Sequence, residues 1–256
     1  MTLIAILLVL GIERFVGAVD HLRGFGWCRG WSRWLENRLS RHALWQGPLG
    51  VLIVILPPLV LLGLVSAGLY HVTPVLDFVL GCIVLLYCLG PADLGHQVSR
   101  YTEALEAADR QAAEQARSEF YNPRWDDQGP LGGTLCSLLG QTNLRLFAVL
   151  FWFVILGPIG ALLYRLTAEL HKHYGDVHGG FADSLRDLYN LLNWPTTRLS
   201  ALGFALAGNL VDALYGWRRT EARSLAVNEK VLIESGLGAL QFRQTYGEET
   251  ESDTGA

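Results

Sequence analysis

Charge is scarce in this chain. Only 17% of its 256 residues are Asp, Glu, Lys or Arg, against about 25% in a typical soluble domain. From His42 to Leu76 there is none at all. An uncharged run of that length is too long for a soluble core element and matches what a bilayer demands. Lysine is nearly missing: 18 of the 20 basic residues are Arg, leaving Lys172 and Lys230. With a net charge of −4 there is no basic face for nucleic acid. The four cysteines, Cys28, Cys82, Cys88 and Cys136, form no CxxC and no metal spacing, which excludes a disulfide scaffold. Cys82 and Cys88 lie in an apolar segment and read as small hydrophobes. No Walker loop, Gly-x-Ser-x-Gly or His-Glu-x-x-His occurs. No segment alternates strictly with a period of two, so no strands are expected.

What is present is apolar and helical. Leu49 to His71 is the strongest candidate span, with Pro57-Pro58 expected to kink or break it. Val72-Thr-Pro-Val75 turns the chain into a return arm. A further span, Leu146 to Tyr164, holds Gly157-Pro158. The apolar start up to Ile12 lacks both the basic region before it and the cleavage site after it that mark a signal peptide. The expected fold is all-α, a single multi-pass membrane domain over 1–246. It has four or five segments near 2–22, 49–71, 76–91, 146–165 and 199–216. The last could instead be interfacial or buried.

Six Arg between Arg14 and Arg41 and five between Ala92 and Arg145 place both segments on the cytoplasmic side of a bacterial inner membrane. Gln97 to Phe120 repeats Val98, Tyr101, Leu105, Ala108, Ala112 and Ala116 on one face, and predicts one cytoplasmic amphipathic helix over 97–121 with a Glu106/Arg110 pair. Trp27, Trp31, Trp34 and Trp45, set among arginines, read as an interfacial belt. The acidic tail 247–256 reads as disordered.

The candidate site residues are ionisable or amide side chains at the edges of apolar segments. Arg145, Arg165 and Arg198, with Asn143, can grip a phosphate or carboxylate through guanidinium forks, or can simply anchor the spans at the interface. Glu13 and Arg14 interrupt an apolar helix, and Asn209 lies beside Asp212 on another; polar groups in such places need partners or ligands. On the first reading the partner beside the lipid bilayer is an anionic small molecule; on the second it is the bilayer alone. His171, His173, Asp176 and His178 are metal-like in composition. Nothing in their spacing fixes a geometry, and no metal is expected there.

The segment from Gln141 to Arg165 carries Asn-x-Arg, then Leu-Phe-Trp, then Gly-x-x-Gly-Ala-x-x-Tyr-Arg. Trp194-Pro-Thr-Thr-Arg-Leu-Ser and the Glu13-Arg14 pair stand at matching places around it. In order and spacing these resemble the AmpE family, which belongs with the CobD/CbiB cobalamin-biosynthesis proteins. The AmpE resemblance implies an inner-membrane accessory or signalling protein in β-lactamase induction and antibiotic response, with an AmpD-like muropeptide amidase as partner. It also implies a C-terminal apolar span, where this chain has its acidic tail. The cobalamin branch implies an alternative: a membrane enzyme that joins an aminoalcohol or its phosphate to a corrinoid carboxylate, using ATP. That branch carries Gly-Asp-Pro…His-Pro near its start and Asn-Thr-x-Asp after Tyr-Arg. This chain reads Gly11-Ile-Glu-Arg-Phe-Val-Gly17 and Leu166-Thr-Ala-Glu169 there. No cofactor is implied by the residues themselves. A transporter is the third reading, for which so few spans leave little room.

Overall fold

The computed structural model describes residues 2–15, 25–39, 45, 47–89, 94–119, 121–122, 129–175, 177–220 and 227–242. The tail 247–256 lies outside them. Among the described residues every regular element is helical. The described residues form eleven α-helices: α1 (Thr2–Phe15), α2 (Gly26–Leu39), α3 (Pro48–Val72), α4 (Pro74–Cys88), α5 (Leu94–Glu106), α6 (Arg110–Ser118), α7 (Gly129–Thr142), α8 (Ala148–Tyr174), α9 (Gly180–Ala207), α10 (Leu210–Arg219) and α11 (Asn228–Ala239). A π-helical turn, Asn143–Phe147, joins α7 to α8. The chain divides into two compact units, Met1–Ala92 with Leu144–Leu192, and Asp93–Asn143 with Asn193–Ala256.

The first unit has an apolar interior. Val51, Val54 and Ile55 of α3, Leu85 and Cys88 of α4, and Val149, Phe153 and Tyr164 of α8 bury against Val9 of α1 and Cys28 of α2. Two helices, α3 and α8, are long and apolar enough to cross a membrane. Their outward residues are apolar too: Leu61, Leu64 and Val72 on α3, Ile155 and Leu156 on α8, and Val75 and Ile83 on the shorter α4 are all exposed. Asp77, in the first turn of α4, accepts a hydrogen bond from the Ser66 hydroxyl of α3 and latches the hairpin near its tip.

Of the kink or break expected at Pro57-Pro58, there is no break: α3 runs through both prolines. A proline leaves the carbonyl four residues before it without its N–H. For Pro58 that carbonyl is Val54, and the Trp31 indole N–H of α2 donates to it at 3.2 Å. Trp31 therefore works as an interior donor. Trp45 is buried too, stacked 4.8 Å from the Phe181 ring. Only Trp27 and Trp34 of the four tryptophans read as a belt are exposed.

Gly157-Pro158 does break α8. Gly157 sits at φ 67, ψ −153, a region essentially closed to residues with a Cβ. Gly157→Ala is expected to lower stability by about 1–3 kcal/mol. The midpoint of thermal unfolding in detergent reports it, and an unchanged midpoint would deny the break.

The second unit corrects two sequence expectations. The stretch 97–121 is not one helix. It turns at Ala107–Asp109, with Ala108 in the left-handed region (φ 55), and α5 folds back on α6. The Asp109 carboxylate accepts from the Gln111 and Ala112 N–H groups, so a local N-cap outweighs the continuous apolar stripe. Glu106 and Arg110 fall on either side of that turn. Residues 199–216 are not one continuous helix either. The helix stops at Gly208, and Asn209 caps α10 by accepting from the Val211 and Asp212 N–H groups.

Candidate functional site

Polar side chains fill the interior of the second unit. Of the twelve buried polar residues among those described, all but Ser32 and Thr167 belong to it, while its apolar cluster is built on Cys136, Ile233 and Leu237. Burying polar groups costs free energy unless they are paired. Here one face of α9 carries them: Asn193, Thr196, Thr197 and Ser200 recur at the three- and four-residue steps of a helix. Pro195 sits inside this stretch. The Thr196 and Thr197 hydroxyls donate back to the Asn193 carbonyl at 3.0 and 2.8 Å, a pattern that bends helices.

Two contacts tie α9 to its neighbours, one from this face and one from the Trp194 side. The Ser200 hydroxyl donates to Asn143 Oδ1 at 2.8 Å, which ties α9 to the first residue of the π turn. Widened turns of this kind concentrate at functional sites, because the extra residue re-aims the side chains beside it. The second contact holds a cation. Arg198 Nη1 donates to the Asn228 Oδ1 of α11 at 2.9 Å and to the Trp194 carbonyl at 3.1 Å. Its guanidinium also lies 4.5 Å from the centre of the Trp194 ring. A guanidinium held by one edge and one face keeps a fixed direction. A planar guanidinium is the kind of group that suits an oxyanion.

The sequence candidates divide as follows. Asn143 and Arg198 are both in this unit, each in a defined hydrogen bond. Asn209 serves as the α10 cap. Arg165 belongs to the first unit, its guanidinium 5.3 Å from the Phe25 ring. Glu13 and Arg14 stand in the last turn of α1, and Arg145 in the π turn; these three side chains lie outside the described residues. Asn193, Thr196, Thr197, Ser200 and Asn228 were missed. The signal for the first four was a polar stripe at helical spacing inside an otherwise apolar segment. Asn228 carried no signal, since only the fold brings it to Arg198.

The histidine cluster is dispersed. His171 stacks on Tyr189, with ring centres 4.1 Å apart. His173 pairs with Glu169, 3.7 Å away, and Glu169 also meets Arg29 of α2 at 3.5 Å. His178 is exposed, and Asp176 lies outside the described residues. No three His, Cys, Asp or Glu side chains among those described group as metal ligands. Cys28 is no nucleophile at neutral pH: burial first, then the Glu169 charge, pushes its thiol up to about 11.

Comparison with known proteins assigns the family. The profile of the family described as CobD/Cbib protein matches residues 6–245. The chain is 30% identical over 175 residues to the cobalamin biosynthesis protein CobD of Chromobacterium violaceum, covering 65% of this chain and 55% of that protein. It is 32% identical over 168 residues to the protein of the same name from Stutzerimonas stutzeri, covering 62% and 54%. The chain thus spans about half the length of the curated relatives it matches. No solved structure matches it. These findings overturn the AmpE reading, and with it β-lactamase induction, signalling and an amidase partner. From its matched residues, the chain belongs to the CobD/CbiB family.

Proposed function

We propose that the chain is a membrane enzyme of the cobalamin-biosynthesis type, acting on an anionic substrate. The observation that carries this reading is the Arg198 guanidinium held by the Asn228 side chain and the Trp194 ring. The names of the relatives supply the pathway. The reaction implied by the resemblance joins a corrinoid carboxylate to the amine of an aminoalcohol or its phosphate, with ATP. Carboxylate and phosphate are the groups an arginine fork selects. The chain lies in the bacterial inner membrane as a multi-pass protein. The apolar α3 and α8 support that placement, as do the outward apolar residues of α1, α3 and α4, with the arginine-rich segments on the cytoplasmic side.

The test is complementation. The chain is expressed in a bacterium lacking its own protein of this kind, and cobalamin-dependent growth is read together with the corrinoid acid by mass spectrometry. Growth with consumption of the acid is expected. A chain present in the membrane with neither effect would remove the cobalamin assignment.

A further inference from the structure

The second half of α9 is inside out. Asn193, Thr196, Thr197 and Ser200 face inward, while Trp194, Leu199, Leu202 and Leu206 are exposed. Water would impose the opposite arrangement. The exposed strip continues past the break onto Leu210, Val211 and Tyr215 of α10, and its two barest members, Leu206 at 81% and Val211 at 73%, flank the break itself. The polar residue of that turn is directed elsewhere: Asp212 accepts from the Gln241 side chain.

We propose that Leu199–Tyr215 is a re-entrant elbow that inserts into the phospholipid bilayer and enters and leaves on the same side, with Leu206 and Val211 at its deepest point. Three observations support lipid as the occupant. The run is broken, so neither arm reaches the ~30 Å of a span at about 1.5 Å per residue. Irregular backbone at membrane depth requires internal partners, and here the Gly208 N–H donates to the Phe204 carbonyl, the Asn209 N–H to the Ala239 carbonyl, and the Val211 and Asp212 N–H groups to Asn209 Oδ1. The ends of the strip carry residues that favour the headgroup layer, Trp194 at one and Tyr215 with exposed Arg218 at the other.

The test uses the full chain in phosphatidylethanolamine–phosphatidylglycerol vesicles, with single nitroxide labels on Leu206→Cys and Val211→Cys. Either position gives the same reading if the other variant folds poorly. Both labels should collide with dissolved oxygen more than with a water-soluble nickel chelate. Trp194→Cys and Arg218→Cys should react with an impermeant maleimide from the same side. Labels open to the nickel chelate would place the elbow in water, and labels shielded from both would place it under protein; either result overturns the proposal. So does reaction of positions 194 and 218 from opposite sides, which makes the segment a span. The elbow rests on the membrane placement proposed above, and a Leu61→Cys label on α3 reports that placement separately. A lipid-exposed Leu61 beside a water-exposed Leu206 would end the elbow alone.

Discussion

Gly238→Ala is expected to unseat α11 from α10, while the same change at Gly203 does the reverse. A Cβ on Gly238 would run into the Asp212 carbonyl, and one on Gly216 into the Glu234 carbonyl, so each helix presents a glycine to the backbone of the other. Close approach through small residues is how helices pack where little apolar surface is available to drive them together, and this unit has little. Because the obstacle is backbone, no rotamer change relieves it. Overpacking of this kind costs about 1–3 kcal/mol and sometimes more, a large part of a typical ~5–15 kcal/mol stability. Gly203 lies in α9 with nothing within 4 Å of a built Cβ. Alanine there only removes unfolded-chain entropy and gains about 0.5–1 kcal/mol. Thermal unfolding of the two variants in detergent should shift in opposite directions. Equal shifts would mean that α10 and α11 do not cross at these glycines.

Arg198→Ala is expected to remove most of the activity. Losing one partner of a charged, hydrogen-bonded contact costs about 2–5 kcal/mol. At the middle of that range kcat/KM falls by more than about 100-fold. Arg198→Lys keeps the charge without the planar fork and should recover only part of it. Removing the guanidinium also takes a donor from Asn228, which is 3% exposed, so some stability is lost as well. Asn228→Ala separates the two effects. It frees Arg198 from one tether and disturbs packing similarly, yet leaves the cation in place. Arg198→Ala with full turnover and only a lower melting point would reduce Arg198 to an interfacial anchor.

Much of the helical pattern was readable beforehand because it is local. The uncharged run became α3, and Gly157-Pro158 became the break in α8, since a positive-φ glycine followed by proline acts on its own neighbours. Two other features have different causes, one distant in the chain and one local. Pro57-Pro58 passes without a break because a tryptophan 27 residues earlier in the chain satisfies the Val54 carbonyl. The 97–121 stripe continued across Asp109 in pattern, but an aspartate cap ended the helix there.

The site shows the same division. Arg198 and Asn143 were visible as polar residues at the edges of apolar segments, the rarest arrangement in a chain so poor in charge. Their partners were not, because Ser200 lies 57 residues from Asn143 and Asn228 lies 30 from Arg198.

The sequence by itself determined that the chain is helical and too apolar for an ordinary soluble domain. Those properties follow from composition and from periods of three and four, which act over one or two turns. Only the tertiary structure decided that the Asn209 N–H after the break at Gly208 meets the Ala239 carbonyl, that the polar stripe of α9 points inward, and that Arg198 is held by Asn228. Each depends on which carbonyl or amide another helix brings within hydrogen-bonding distance, and a one-dimensional pattern carries no record of that distance.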